Sequence, residues 1–225
     1  HISRAHPYLE NHAIRVLCNA NDSEGFVPRK DASLPEINMV GGEIPQNLGG
    51  PSMDLRPYLA FFAGQDHGPV RPHLFRHWLT RDGDKNNTMQ VFRTLPNALN
   101  ESYRDFMTKS KFCLCPAGFE VNSPRLVEAI YYDCIPVIIA DGFVLPFSDV
   151  LNWDVFSLRV KEKDIPQLKE ILENVPLALC EEMQSRIREV RRHFLFNKSP
   201  QRYDLFHMVL HSIWLRRLNI QLNYS

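Results

Sequence analysis

The sequence predicts an α/β protein built on a parallel β-sheet, and two observations carry this prediction. Short apolar segments alternate along the chain with amphipathic segments of about ten residues, as in repeated strand–helix–strand units. The segment from Cys134 to Ala140 is apolar and rich in β-branched residues, without the polar alternation of a strand that has one wet face. We therefore expect a sheet covered by helices on both faces, with ligands bound at the carboxyl ends of its strands.

The first half is predicted to lead from a helix, through a linker, to a buried strand. Apolar spacing predicts a helix over Leu9 to Ala20, and four glycines and two prolines between Gly41 and Pro51 predict a linker. A strand is predicted over Tyr58 to Ala63, followed by a helix over Val70 to Arg81. The next predicted elements are a polar loop over Asp82 to Thr88, a strand over Gln90 to Leu95 and a helix over Ser102 to Ser110.

The second half has the densest series of signals. A strand over Lys111 to Cys115 leads into the turn Pro116-Ala117-Gly118. Ser123 is the predicted N-cap of a helix that runs to Tyr132, with Pro124 at its first position, where the missing N–H is harmless. The remaining predicted elements are strands over Cys134 to Ala140 and Phe156 to Val160, a helix over Ile165 to Glu173 capped by Asp164, and helices within Leu177 to Phe194 and Asp204 to Leu218.

Composition excludes several functions. The 225-residue chain has 26 basic and 26 acidic side chains, so it lacks the basic excess of a protein that binds nucleic acid or a polybasic membrane-surface module. No apolar run approaches the roughly 20 residues that span a bilayer. The sequence opens at His1 in mid-pattern, and we expect it to be a piece of a longer protein.

Two strand-to-helix turns are the candidate ligand sites. Gly64 follows the strand that ends at Ala63 and precedes a helix with Arg71 in its first turn. Gly118 follows the next buried strand and precedes a helix that begins near Ser123 and Arg125. Free N–H groups at a helix N-terminus favour anions, and the same dipole disfavours an arginine there unless an anion or an acidic partner is near. Each arginine therefore predicts either a bound anion or an ordinary pair with a surface carboxylate.

Arg125 and Glu128 are three residues apart and share one face of the predicted helix. A guanidinium can bind a diphosphate through two parallel hydrogen bonds, and a carboxylate can accept from ribose hydroxyls. The alternative is that the two side chains pair with each other as an exposed salt bridge. Spacing alone leaves both interpretations open.

We expect no resident metal or cofactor. His73 and His77 are four residues apart, as are His207 and His211, but the glutamate of a zinc-protease motif and a third ligand are missing. Asp82-Gly83-Asp84 resembles the aspartate pair of metal-dependent transferases, but it lies in a polar loop after a helix, so we interpret it as a turn. Nucleotide-binding glycine loops and the hydrolase elbow are also missing from the sequence.

Cysteines and glycosylation motifs give a modest signal about the compartment. Five cysteines are too few for a disulfide scaffold in a chain of this length, and we interpret Cys113 and Cys115, on one face of a strand, as small buried apolar residues. Five Asn-x-Ser/Thr motifs together favour a lumenal, glycosylated protein. They begin at Asn21, Asn86, Asn100, Asn197 and Asn223.

Several segments, in order, resemble the exostosin domain, and most closely its plant members in glycosyltransferase family 47. The principal matches are Lys109 to Gly118 (KSKFCLCPAG), Ser123 to Ile130 (SPRLVEAI), Cys134 to Ile139 (CIPVII) and Leu145 to Trp153 (LPFSDVLNW). Supporting matches are Lys30 to Glu36 (KDASLPE), Tyr58 to Gly64 (YLAFFAG) with Arg71, Asp164 to Leu168 (DIPQL) and Phe206 to Leu218 (FHMVLHSIWLRRL). The resemblance covers nearly the whole chain.

This resemblance implies a GT-B fold of two Rossmann-like halves, of which the C-terminal half binds the nucleotide-sugar. Residues 1–50 would be a remnant of the N-terminal, acceptor-binding half with its linker, residues 51–190 the Rossmann-like donor domain, and residues 191–225 a C-terminal helical segment. The implied reaction is inverting transfer from a UDP-sugar to a cell-wall polysaccharide or related glycan, without a metal. The implied location is the lumenal side of the Golgi membrane, with a membrane anchor in a preceding region and partners among other glycosyltransferases.

The family also implies roles for residues of the donor site. Arg125 would bind the diphosphate and Glu128 the ribose, with Ser123, Gly118, Arg71 and Gly64 completing the site. The catalytic base usually comes from the N-terminal half, so no residue is assigned to it. Asp141, Asp149 and Asp154 lie in loops near strand ends and are only candidates, since loop or helix capping is the favoured explanation for each of them.

Two departures from the family pattern affect these expectations. The family commonly has glycine where this chain has Asp133, at a helix end that suits a left-handed residue. Aspartate tolerates that conformation, so we expect a loss of about 1 kcal/mol in stability rather than a lost fold. Gln65 stands where the family often has a second glycine. The alternatives to an active transferase are a non-catalytic partner that stabilises another transferase and, less in keeping with the motifs, a GT-B phosphorylase or epimerase.

Overall fold

The computed structural model describes residues 6–39, 43–80, 87–95 and 101–217. Its strands are β1 (Val16–Leu17), β2 (Ala32–Ser33), β3 (Tyr58–Ala63), β4 (Met89–Phe92), β5 (Ser110–Pro116), β6 (Ile135–Ile139) and β7 (Leu158–Arg159). Its α-helices are α1 (Pro7–His12), α2 (Val70–Trp78), α3 (Tyr103–Lys109), α4 (Arg125–Tyr131), α5 (Leu168–Glu173), α6 (Leu177–Val190) and α7 (Leu205–Arg216).

Five parallel strands form the main sheet in the order β4-β3-β5-β6-β7, and β1 and β2 form a separate parallel pair. Helices α2, α3, α4 and α6 pack on the main sheet. This is the Rossmann-like architecture of a GT-B half, as the sequence predicted. Because all five strands run in the same direction, the turns after β3 and β5 meet at the same edge of the sheet.

Strand β6 is buried along its whole length. Its neighbour β5 is buried at every position except Lys111. The prediction of a strand covered on both faces is therefore confirmed. Apolar residues from the sheet and the helices that flank it form one continuous core, which includes Phe61, Leu114 and Ile187.

The helix predicted over Leu9 to Ala20 is wrong, because the helix there ends at His12 and an extended segment follows. Strand β1 pairs with β2, and the backbone carbonyl of Cys18 accepts a hydrogen bond from the Nδ2 of Asn122. These partners lie 16 and more than 100 residues away in the sequence. Long-range hydrogen bonds have therefore overridden a local apolar spacing.

Helix starts were predicted less accurately than helices themselves. Helix α4 begins at Arg125, two residues after the predicted cap Ser123. Asp164 lies inside a 3₁₀ segment over Glu162–Gln167 and caps nothing, because Pro166 in the same segment delays the α-helix until Leu168. In contrast, Ser102 and Asp204 do cap their helices through side-chain oxygens.

A disulfide joins Cys113 of β5 to Cys134, the residue before β6. The interpretation of Cys113 as a free, buried apolar residue is therefore wrong, whereas that of Cys115 is confirmed. Strand spacing explains the difference: Cys113 lies opposite the start of β6, close to Cys134, and Cys115 lies opposite Ile138. Sequence spacing along a single strand cannot reveal a partner on the neighbouring strand.

Asp133 ends the helix α4 with a positive φ of 54°, so the prediction of a left-handed residue here is confirmed. Its carboxylate is buried and forms ion pairs with Arg191 (2.7 Å) and Arg188 (2.9 Å). It also accepts a hydrogen bond from the backbone N–H of Gly50.

In the described residues, no helix has the length and apolar character needed to cross a membrane.

Candidate functional site

The turns after β3 and β5 lie against each other at the carboxyl edge of the sheet. Gly68, in the first turn, is so close to the second that an added Cβ would lie 1.9 Å from the carbonyl oxygen of Gly118. Beside them, the imidazole of His67 stacks on the exposed ring of Phe119 at 5.0 Å. The two predicted anion turns therefore form a single site.

Arg125 opens helix α4 and reaches back across the sheet edge. Its Nε and Nη2 donate to the carbonyl oxygen of Ala63 at 3.1 and 2.8 Å, and its Nη1 donates to Ser123 Oγ at 3.1 Å. The guanidinium also lies over the ring of Phe62, with Cζ 5.0 Å from the ring centroid. These contacts orient the guanidinium without neutralising its charge.

Arg71, the second residue of α2, approaches the same aromatic ring from the neighbouring turn, at 5.7 Å. Its side chain is buried, its Nη1 donates to the carbonyl oxygen of Gln65 at 3.3 Å, and its Nε has no hydrogen-bond partner. Burial, and then the positive charge of Arg125, lower the pKa of Arg71. A buried guanidinium with an unsatisfied donor is expensive unless an anion completes its contacts.

Within the described part of the chain, neither Arg71 nor Arg125 forms an ion pair with a carboxylate. The alternative in which Arg125 and Glu128 form a salt bridge is therefore wrong, and neither arginine pairs with a surface carboxylate of the described residues. Both guanidinium groups lie over the ring of Phe62, and their positive charges repel each other. A ligand that carries two or more negative charges would relieve this repulsion.

Gly64 and Gly118 leave the space that the guanidinium groups occupy. A Cβ at Gly64 would lie 2.5 Å from Nη2 of Arg125, and a Cβ at Gly118 would lie 2.8 Å from Nη2 of Arg71. Real Cβ atoms do not approach other atoms so closely, so any side chain at these positions would displace an arginine. The sequence predicted both glycines as turn residues. The close approach of the arginines is a second reason why these positions need a residue without a side chain.

Glu128 lies one helical turn after Arg125, and both of its carboxylate oxygens are held by neighbours. Tyr103 donates its hydroxyl to Oε2 at 3.0 Å, and Asn38 donates its Nδ2 to Oε1 at 3.3 Å. Burial, and then the negative charge of Glu128, raise the pKa of Tyr103 well above its usual value, so that it remains a donor. The carboxylate is fixed in orientation and keeps lone pairs for further donors.

A cavity of about 420 Å³ adjoins Glu128. It is lined by Asn38, Glu43, Ile44, Pro45, Tyr103, Tyr131 and Tyr132 as well as Glu128. This volume falls in the range of small-molecule sites, which combine apolar walls with a few fixed polar groups. Tyr103 and Asn38 were not identified from the sequence, because they come from segments 25 and 90 residues away from Glu128.

Glu36 is a third residue that sequence reasoning missed. It is half-buried, and its pKa is raised by burial, then by the negative charges of Glu120 and Glu128, and lowered in part by Arg125 and Arg71. The motif KDASLPE, which ends at Glu36, was the only sequence signal for it.

Two of the other three candidate carboxylates form ion pairs elsewhere in the structure. Asp149 pairs with Arg216 at 2.7 Å, and Asp154 lies 3.6 Å from Arg159 in an exposed pair. The backbone N–H of Asp141 donates to Glu162 in an exposed turn.

Only some of the metal and glycosylation candidates lie within the described residues. No group of three potential metal ligands occurs in the described residues, and Asp82 to Asp84 lie outside them. Asn21 is buried and caps a 3₁₀ turn, and Asn197 is partly buried and donates its Nδ2 to Asp204. Asn86, Asn100 and Asn223 lie outside the described residues.

The geometry as a whole suits a phosphorylated ligand that also presents hydroxyl groups. The paired guanidinium groups can hold a diphosphate, the fixed carboxylate of Glu128 can accept from vicinal hydroxyls, and the adjacent cavity has room for a ring. A diphosphate, a ribose with vicinal hydroxyls and a base ring are the three parts of a nucleoside diphosphate.

Comparison with known proteins gives a family match. A model of the exostosin GT47 domain matches residues 2–175. A probable glycosyltransferase of Arabidopsis thaliana is 55% identical over 223 residues, and a second is 53% identical over 220 residues. These alignments cover 98% of this chain but only 45% and 41% of the two relatives, so the chain spans less than half of their length.

More distant matches carry more specific names. A probable beta-1,4-xylosyltransferase of Arabidopsis thaliana is 41% identical over 114 residues, which are 50% of this chain and 28% of that protein. A probable glucuronosyltransferase of Oryza sativa subsp. japonica is 41% identical over 115 residues, with the same coverage.

Proposed function

This chain belongs to the exostosin GT47 family, and on that premise we propose that it is the donor-binding portion of an inverting glycosyltransferase that uses a UDP-sugar. The observation that carries the proposal is the pair of guanidinium groups of Arg71 and Arg125, which both lie over the ring of Phe62 and form no ion pair with a carboxylate of the described residues. In the transfer step, the bond between the anomeric carbon and the diphosphate breaks, and negative charge develops on the leaving diphosphate. Oriented arginines stabilise that charge more than they stabilise the ground state.

Glu128 completes the proposal for the donor. Because Tyr103 and Asn38 fix its carboxylate, it accepts from ribose hydroxyls without first reorganising. The adjacent cavity of about 420 Å³ then takes the uracil ring. The transferred sugar is not fixed by these residues, and relatives named for xylosyl and glucuronosyl transfer both occur.

We propose a division of labour along the full-length protein. Residues 1–50 belong to the acceptor-binding half and its linker, residues 51–190 bind the donor, and residues 191–225 add a helical segment. The acceptor is a cell-wall polysaccharide or related glycan, and the protein acts on the lumenal side of the Golgi membrane with other glycosyltransferases as partners. The 225-residue chain alone should bind UDP but transfer no sugar, because the acceptor is not positioned.

The binding experiment is calorimetry with UDP, UMP and uridine. We expect affinity to rise with each phosphate, and chelation by EDTA to leave UDP affinity unchanged, because guanidinium groups supply the positive charge. A loss of UDP affinity on chelation that manganese restores would contradict the metal-free site. No UDP binding at all would favour a non-catalytic partner protein.

The activity experiment is product analysis on the full-length protein with a panel of UDP-sugars and cell-wall acceptors. We expect transfer from one or a few UDP-sugars with inversion at the anomeric carbon. Retention of the anomeric configuration would contradict the proposed mechanism.

A further inference from the structure

We propose that Glu36 is the catalytic base that removes the proton from the acceptor hydroxyl. This inference rests on the proposed function. It assigns the one role in the transfer reaction that the donor site itself leaves empty. Glu36 lies in the part of the chain that we assign to the acceptor half, which is the side from which a base must act.

Two hydrogen bonds place Glu36 over the start of α4. On one side of it, the carbonyl oxygen of Leu34 accepts from Nδ2 of Asn122 at 3.4 Å. On the other side, Asn38 donates to Glu128 at 3.3 Å. Since Asn122 precedes α4 and Glu128 lies within it, the segment 34–38 crosses the first turn of the helix, where Arg125 begins. The positive charges of Arg125 and Arg71 act on the carboxylate of Glu36, which places it beside the diphosphate site.

The charged groups around Glu36 suit a base. Glu120 faces it from the turn after β5, Glu128 and Arg125 from α4, Arg71 from α2, and the thiol of Cys18 from the segment after β1. Burial and the two neighbouring carboxylates raise its pKa, which makes the carboxylate a stronger proton acceptor than an exposed glutamate. Glu36 also has no hydrogen-bond or ion-pair partner among the described residues, unlike Glu128.

The step balances as follows. The acceptor O–H bond breaks and its proton passes to the carboxylate of Glu36. The acceptor oxygen forms a bond to the anomeric carbon as the bond from that carbon to the diphosphate breaks, and its electron pair leaves with UDP, held by Arg71 and Arg125. Glu36 then releases the proton to solvent.

The test compares Glu36→Gln with Glu120→Gln in the full-length protein, with UDP affinity measured on both. We expect Glu36→Gln to lower kcat about a hundredfold or more and to leave UDP affinity within about twofold of the wild type. Glu120→Gln should keep kcat within about threefold at its optimum pH. Glu36→Asp, which keeps a carboxylate but shortens its reach, should retain part of the activity.

The pH profile separates a base from a structural residue. The decline of kcat towards low pH should disappear in Glu36→Gln, because no carboxylate remains to be protonated. In Glu120→Gln that decline should move to lower pH, because removal of a neighbouring negative charge lowers the pKa of Glu36. A folded Glu36→Gln protein with more than a tenth of the wild-type kcat, or a profile that Glu120→Gln does not shift, would overturn the proposal. Absence of UDP binding in the wild-type protein would instead contradict the proposed function, and this inference with it.

Discussion

The arginines at the two ends of the sheet have opposite environments. At the amino end, Arg56 is buried and donates to four backbone carbonyl oxygens, those of Pro51, Met107, Ser110 and Tyr132. Nearby, Arg188 and Arg191 pair with the buried carboxylate of Asp133. At the carboxyl end, Arg71 and Arg125 both lie over the ring of Phe62, neither forms an ion pair with a carboxylate of the described residues, and Arg71 has an unused donor.

This difference distinguishes an arginine that stabilises the fold from an arginine whose donors are left for a ligand. Burial lowers the pKa of Arg56 to about 10, yet it remains charged at neutral pH and its donors are satisfied inside the protein. Arg71 is also buried, but its contacts are incomplete. Burial alone therefore does not distinguish the two roles, whereas the hydrogen-bond partners do.

The largest expected effect is the destabilisation caused by Arg56→Met. Methionine keeps most of the volume but leaves four carbonyl oxygens without their donor, three of them bonded in buried contacts. We expect the free energy of unfolding to fall by about 3 kcal/mol or more. Urea denaturation measures it. A change below about 1 kcal/mol would contradict the structural role of this end of the sheet.

The matched change at the other end, Arg71→Met, should affect binding rather than stability. It removes a desolvated charge with an unsatisfied donor, so we expect the free energy of unfolding to change by less than about 1 kcal/mol or to rise. UDP affinity should fall by roughly tenfold or more, because a charge-assisted hydrogen bond contributes about 1.5–3 kcal/mol. If Arg71→Met destabilised the protein as much as Arg56→Met and left UDP affinity intact, the two ends would not differ as described.

Variants of Asp133 test the ion pairs at the amino end of the sheet separately from the donor site. Asp133→Asn keeps the side-chain shape and tolerates the positive φ, but it removes the charge that pairs with Arg188 and Arg191. Asp133→Gly also relieves the backbone strain. We expect both variants to be less stable than the wild type by about 1–3 kcal/mol. The glycine variant should lose less than the asparagine variant, because glycine adopts a positive φ without strain. A glycine variant more stable than the wild type would show that the ion pairs contribute less than the strain.

Glu128→Gln should produce the smallest of these effects, and one independent of the phosphates. The amide retains one oxygen acceptor but loses the charge, so ribose binding should weaken by several-fold. Uridine and UDP should lose affinity by similar factors, because both contain the ribose. Calorimetry with both ligands tests this, and a loss confined to UDP would place Glu128 near the diphosphate instead.

Local sequence signals predicted the sheet, its two glycine turns and the positions of Arg125 and Glu128. They succeeded because strand apolarity, turn residues and helix spacing are short-range properties. They did not predict the β1–β2 pair, the disulfide between Cys113 and Cys134, or the contacts of Glu128 with Asn38 and Tyr103. Each of these depends on how segments far apart in the chain meet, which no local pattern encodes.

Spacing also could not choose between a salt bridge and a ligand site for Arg125. That choice depended on the position of Ala63, whose carbonyl oxygen draws the guanidinium over the sheet edge and away from Glu128. Glu36 was missed for a related reason. Its neighbours Glu120 and Arg125 lie more than 80 residues further along the chain and meet it only in the fold.

The most direct test of the central claim measures UDP and uridine affinity by calorimetry on the wild type and on Arg125→Ala, with melting temperature as the control for folding. If the unpaired arginines bind the diphosphate, UDP affinity should fall by roughly ten- to a hundredfold in the variant. Uridine, which has no phosphate, should bind both proteins about equally weakly. Arg125→Lys should restore only part of the UDP affinity, because an ammonium group lacks the planar fork of a guanidinium. Unchanged UDP affinity in a well-folded Arg125→Ala protein would contradict the assignment of this end of the sheet as the donor site.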